Sequence, residues 1–225
     1  MVEKKILTAD EAVGLIKTGQ TIMIGGFMGC GAPPKLLRSL EKTGLKDLTL
    51  VSNDCGWYNP EKGIETGPAI NVAAKQFSHV IATHIGLNPE IQRQMNAGET
   101  EVTLVPQGTL AERIRAAGCG LGGVLTPTGV GTEVEEGKQV LELDGKKFLL
   151  ERELKGDVAL IHAAKADKAG NLIYSRSARN FCPLMAMACD LVIVEAEEIV
   201  EVGELDPECV ITPSLFVKVL VQGGE

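Results

Sequence analysis

Four short apolar runs, each closing in a turn before a helix start, constrain this chain more than any other feature. Thr21-Ile-Met-Ile24 runs into Gly25-Gly26, and Leu48-Thr-Leu-Val51 into Ser52-Asn53-Asp54. Val80-Ile-Ala82 is the third run, and Val102-Thr-Leu-Val105 leads into Pro106-Gln107-Gly108-Thr109. A strand that is apolar at successive positions, not alternate ones, has both faces buried. Helices between such strands are the signature of a mostly parallel sheet covered by helices on both faces. The helix starts are legible. Thr8 with Glu11 is a capping box predicting a helix to about Lys17. Pro33-Pro34 opens a second helix carrying Leu36, Leu37 and Leu40 and closed by Gly44. Asn88-Pro89 opens a third that ends at Gly98, and Leu110 to Ala117 reads as a fourth.

The middle of the chain changes character. Val140 to Leu150 alternates around Asp144-Gly145, a hairpin turn pair, and predicts a small antiparallel hairpin insertion. Val158-Ala-Leu-Ile161 and Leu191-Val-Ile-Val194 return to buried-strand character, with a short helix around Pro183 to Ala188 between them. With no linker-like stretch and 225 residues, the expectation is one α/β domain over 1–225.

Composition removes whole classes of function. The 22 basic and 30 acidic residues give a net charge of −8 with no basic block, which disfavours nucleic acid and anionic membrane. No apolar run approaches the roughly 18 residues of a membrane span, and Asp10 and Glu11 follow a charged start, so no secretory leader is read. The expected compartment is the cytoplasm, with reduced thiols. Cys30, Cys55, Cys119, Cys182, Cys189 and Cys209 contain no C-x-x-C pair and are each read as small buried hydrophobes. No metal site is expected.

In an open parallel sheet, ligands bind beyond the carboxyl ends of the strands. After the first run comes Gly25-Gly-Phe-Met-Gly-Cys-Gly31, whose four glycines exceed what a plain strand-to-helix turn needs. The loop opens a helix, whose first amides and dipole favour an anion. It is neither a Walker A motif, since Ala32-Pro33 replace Lys and Ser/Thr, nor a dinucleotide fingerprint. A literal G-x-G-x-x-G at Gly118, Gly120 and Gly123 follows a helix and is set aside. Gly118 to Thr132 reads as a second glycine-rich stretch, either a channel lining or a wall against a partner. Asn53 and Gln107 belong to the same edge, where an amide can hold a carboxylate or donate to an oxyanion. Turn and cap chemistry is the plainer account of Asn53 and Asp54; Gln107 is not a favoured turn residue. No nucleophile or base stands out. His79, His84 and His162 are scattered and read as structural, and Glu133-Glu135-Glu136 and Glu195-Glu197-Glu198 read as solvated faces. An anion-binding edge without a nucleophile fits a binding module or one half of a shared active site.

The run from Thr21 to Pro33 resembles the first signature of family I coenzyme A transferases, G-G-F-x-x-x-G-x-P. Val51-Ser-Asn-Asp54, Pro106 to Arg115, Thr126 to Thr132 and Ser177-Ala-Arg-Asn180 are similar to that family's α chain of the acetate, acetoacetate and butyrate type. The resemblance covers essentially the whole chain. It implies transfer of CoA from an acyl-CoA to a free carboxylate by a ping-pong route, through a glutamate nucleophile. In the family that glutamate lies in a Ser-Glu-Asn-Gly motif of the β subunit. This chain lacks the motif.

The resemblance therefore implies inactivity alone, assembly with a β subunit into an α2β2 enzyme, and CoA as co-substrate with no permanently bound cofactor. By position, Gly25, Gly26, Phe27, Met28, Gly29, Cys30 and Gly31 would form the CoA-associated loop. Gln107 would support the oxyanion, and Asn53 would line the acyl or carboxylate pocket. Asp54 departs from the family's frequent Asn-Asn pair; as a carboxylate it would repel a carboxylate substrate, and is expected to face a hydrogen-bond donor instead. Succinyl or 3-oxoadipate 3-oxoacid types and a non-catalytic acyl-CoA-binding module stay open. A sugar-phosphate isomerase or deaminase would need its own acid/base pair, and none is seen.

Overall fold

The computed structural model describes residues 3–224. In chain order the elements are β1 (Lys5–Leu7), α1 (Ala9–Val13), β2 (Thr21–Ile24), α2 (Pro34–Lys42), β3 (Leu48–Val51), β4 (Tyr58–Asn59), β5 (Ile64–Glu65) and α3 (Ala69–Ala73). Then follow β6 (Phe77–Ala82), α4 (Pro89–Asn96), β7 (Glu101–Leu104), α5 (Gln107–Gly118), β8 (Gly123–Thr126), β9 (Val140–Leu143) and β10 (Lys146–Arg152). The chain closes with β11 (Gly156–Asp167), β12 (Leu172–Ile173), α6 (Cys182–Ala188), β13 (Cys189–Val200) and β14 (Val219–Gln222).

The main sheet is nine-stranded, in the order β1-β14-β13-β11-β2-β3-β6-β7 with β12 on β11. Every pairing along that path is parallel, and only β12 runs antiparallel. The apolar runs explain it. Ile22 and Ile24 enter a core on one face, with Leu36, Leu40 and Ile91 from α2 and α4. Met23, between them, enters the core on the other face, with Leu110, Ile114 and Met185 from α5 and α6. A strand feeding two cores must be apolar at every position.

The capping box at α1 is present, with the Glu11 amide donating to Thr8 Oγ1 at 3.2 Å and the Thr8 amide to the Glu11 carboxylate at 2.9 Å. The helix ends at Val13, short of Lys17, because the next turn switches to three-residue bonds such as Ile16 to Val13 that bring Ile16 into the core. α5 starts three residues before Leu110, as the Leu110 amide bonds the Pro106 carbonyl at 2.9 Å. The predicted hairpin forms between β9 and β10, and both turn residues, Asp144 and Gly145, have positive φ. It is part of a larger unit. β8, from the glycine-rich 118–132 stretch, pairs with the other edge of β10 to make a three-stranded antiparallel sheet.

Candidate functional site

The loops after β2, β3, β6 and β7 converge at one edge of the sheet because the strands are parallel neighbours. After β2 the chain makes an arch. Phe27 and Cys30 exchange backbone hydrogen bonds of 3.0 and 2.9 Å across Met28 and Gly29, whose φ values of 51° and 88° make a two-residue turn with both centres left-handed. The close approach its glycines allow is to the chain itself. A side chain at Gly29 would stand 2.6 Å from Thr66 Cβ, one at Gly31 would strike the Ala178 carbonyl, and one at Gly25 would strike Cys182 Sγ. Packing against the chain itself is thus one requirement these glycines meet. Among the described residues, the bonds within and around the arch use the amides of Gly25, Gly26, Phe27, Met28, Cys30 and Ala32, while those of Gly29 and Gly31 take no part in them.

The start of α2, read as a seat for an external anion, already holds one from this chain. Leu36 N–H donates to Glu195 Oε2 at 3.0 Å, and Glu195 is buried. Burial pushes its carboxyl above the usual range, opposed by the Leu36 and Lys35 amides. Glu195 is thus an internal helix cap, not part of a solvated face, whereas Glu197 and Glu198 are exposed as expected. Local sequence hides its role because Glu195 and Leu36 lie 159 residues apart.

Asn53, Asp54 and Gln107 do come together. Gln107 Nε2 donates to Asn53 Oδ1 at 2.6 Å, and Asn53 Nδ2 donates to Asp54 Oδ2 at 2.7 Å. Asp54 Oδ2 also accepts from Met28 N–H at 2.9 Å, and Oδ1 accepts from Gly56 N–H at 2.8 Å. The expected donor opposite Asp54 is therefore three donors. Thr83 Oγ1 donates to the Asn53 carbonyl at 2.7 Å, and His84 Nδ1 lies 3.4 Å from the same hydroxyl. Asn53 is fully buried, so it does not line a pocket as expected; it stands behind Gln107, which is exposed on the first turn of α5.

Residue chemistry alone does not single out Asn180. Its Oδ1 accepts from Gly26 and Phe181 amides at 3.1 and 2.7 Å, and its Nδ2 donates to the Cys30 and Ser177 carbonyls at 2.9 and 2.7 Å. It ties the base of the arch to the start of α6. The arch separates two cavities. One, of about 340 Å³, is lined by Phe27, Gln107, Ala111, Phe181 and Leu184. The other, of about 260 Å³, is lined by Met28, Gly29, Leu37, Arg38 and Thr66. Phe27 and Met28, each 40% exposed, crown the arch.

The remaining candidates stay outside this cluster. His79 Nε2 is 2.8 Å from Thr103 Oγ1, and His162, whose pKa burial lowers, faces Glu197 at 3.3 Å. Cys30, Cys119 and Cys209 are exposed, which corrects the reading of all six thiols as buried; each sits in a turn or at a helix end. Cys55 and Cys182 are buried, and burial pushes the Cys182 thiol up to about 12. Among the described residues, no group of three His, Cys, Asp or Glu is placed to hold a metal ion, and no helix is long and apolar enough to cross a membrane.

A model of the coenzyme A transferase family matches residues 6–223. The chain belongs to that family. It is 50% identical to the alpha chain of the acetate CoA-transferase of Escherichia coli K12 over 221 residues, 98% of each chain. It is 48% identical to the corresponding chain of a probable succinyl-CoA:3-ketoacid coenzyme A transferase of Bacillus subtilis 168, over 98% of this chain and 90% of that one. An acyl-CoA transferase of E. coli O157:H7, solved as a thioester complex with CoA, shares the fold with a TM-score of 0.86 at 19% identity. The match covers 98% of this chain but 47% of that longer chain, so this protein spans about half of it.

Proposed function

We propose that this coenzyme A transferase chain is the α subunit of an acyl-CoA:carboxylate CoA-transferase. The whole chain, 1–225, acts as one cytoplasmic domain that works with a β subunit in an α2β2 enzyme. The observation that carries this is Gln107: an amide donor fixed from behind by Asn53 at the rim of an apolar cavity, beside a carboxylate, Asp54, already engaged by three donors. The cluster can stabilise an oxyanion but supplies no free nucleophile, so the nucleophile comes from the partner. The relatives in E. coli K12 and B. subtilis are both named as single subunits, which supports a split enzyme.

The chemistry then divides between the two chains. The partner's glutamate attacks the thioester carbonyl of acyl-CoA, and Gln107 donates an N–H to the oxygen as it gains charge. The CoA thiolate leaves an acyl-glutamyl anhydride. It returns to the glutamyl carbonyl, releasing the first carboxylate and forming the glutamyl-CoA thioester. The acceptor carboxylate reverses the sequence. The Gly25–Gly31 arch lies along the CoA path, and its own hydrogen bonds leave the Gly29 and Gly31 amides unused. Acetoacetyl, butyryl and acetyl groups, with acetate as acceptor, suit a cavity lined by Ala111, Phe181 and Leu184. A succinyl or 3-oxoadipyl group would bring a second carboxylate to a lining without a cation.

The test is intact-mass spectrometry after incubation with acetoacetyl-CoA, for this chain alone and with its partner. A CoA adduct on the partner only is expected. An adduct on this chain overturns the split site; no adduct on either directs the assignment to an acyl-CoA-binding module.

A further inference from the structure

We infer that Asp54 is a positioning residue that sets the direction in which Gln107 donates, and that it also holds the tip of the arch. This rests on the function proposed above. A carboxylate only accepts hydrogen bonds. Asp54 Oδ2 therefore obliges Asn53 to turn its NH2 group inward, at 2.7 Å. That leaves Asn53 Oδ1 facing outward, and an outward-facing acceptor obliges Gln107 to present its NH2 group, at 2.6 Å. One proton of that group is engaged by Asn53, and the second is left for the reacting oxygen. The same Oδ2 accepts from Met28 at the crown of the arch, so one buried atom registers the arch against the donor. A neutral side chain without an acceptor at position 54 would release both.

Gln107 Nε2 resonances in the free, 15N-labelled chain read the relay directly, assigned by their loss in Gln107→Ala. Asp54→Ala is expected to move this NH2 pair; unchanged resonances overturn the relay. In the complex with the partner, Asp54→Ala is expected to lower kcat about tenfold with KM nearly unchanged, and by less than about twofold in the Gln107→Ala background. Equal losses in both backgrounds would mean a merely structural role and overturn the proposal. Asp54→Asn can keep an oxygen toward Met28 and Asn53, but its NH2 then faces the Gly56 N–H, which loses its acceptor, so it is expected to restore kcat in part, several-fold above the alanine variant. If Asp54→Asn instead matches the alanine variant, the relay is wrong. Where Asp54→Ala does not fold, Asn53→Ala cuts the same relay one residue later and is read by the same two measurements. A wild-type complex that transfers no CoA would refute the proposed function, while the resonances of the free chain still decide the relay.

Discussion

Two segments of this chain are rich in glycine, 25–31 and 118–132, and the structure uses them differently. In both, some glycines stand where the chain is crowded by its own neighbours, although Gly120, Gly122 and Gly131 meet open space. Gly29 meets Thr66 and Gly31 meets Ala178; Gly118 would meet Met187 Cβ at 2.6 Å, and Gly129 would meet Val134 Cγ1 at 2.7 Å. The difference lies in the partners. The first segment is held by Asp54 at its tip and Asn180 at its base, beside the Asn53–Gln107 pair. The second leads into β8 of the small antiparallel sheet. Crowded glycines therefore occur in both segments and do not single out the site; the amides and carboxylate arriving from other strand ends do.

The sharpest way to break this comparison is a matched pair of substitutions. Gly31→Ala places a methyl against the Ala178 carbonyl at a φ of +85°. It is expected to cost roughly 3 kcal/mol or more and to abolish transfer. Gly120→Ala also has a positive φ, +71°, but meets open space. Its expected cost is about 1–2 kcal/mol, with transfer intact. Urea unfolding of the two chains checks the ranking. Equal costs would mean that left-handed backbone alone, not contact with the 176–182 segment, fixes the arch.

Next in size is Gln107→Ala in the assembled enzyme. Loss of one oxyanion donor is expected to lower kcat on the order of 10²–10³-fold. Stability should fall by only about 1 kcal/mol, as Gln107 is exposed but Asn53 Oδ1 loses its strongest partner. Steady-state kinetics with size-exclusion chromatography checks both; an unchanged rate would move the catalytic edge away from this cluster.

What could be read before folding follows from the range of each interaction. The capping box of Thr8 and Glu11, the Asn88 cap and the Asp144-Gly145 turn are made within a few residues, and all are present. The sheet class follows from strand runs that feed two cores. Strand topology alone assigns Asn53 and Gln107 to one edge, and their hydrogen bond joins residues 54 apart. That the bond buries Asn53 behind Gln107 needs side-chain geometry. β1 is not legible, because a three-residue strand at the sheet edge carries little pattern; the Val219-Leu-Val run of β14 has no turn and helix after it, the context that marks the other runs. Asn180 and Glu195 act across more than 150 residues, on partners that no local spacing connects.

The smallest effect separates the two internal carboxylates near the arch. Asp54 has three donors, while Glu195 is held by the start of α2, and its raised pKa means that burial outweighs the amides facing it. A carboxyl with a folded pKa above its unfolded value binds protons more tightly when native. Between those two values the native state carries the extra proton, so stability falls as pH rises through that window. Above it the cost of the buried charge is fully present; below it the cost vanishes. Glu195→Gln keeps an acceptor for Leu36 N–H and removes the charge. It is expected to be at least as stable as wild type at neutral pH, with the advantage shrinking toward acid pH. Glu195→Ala, which removes the acceptor as well, is expected to lose about 1 kcal/mol. Urea midpoints across acid to neutral pH distinguish the cases. If Glu195→Gln were destabilised at neutral pH and converged with wild type only in acid, the α2 amides would outweigh burial. Glu195 would then be an ion the fold prefers charged.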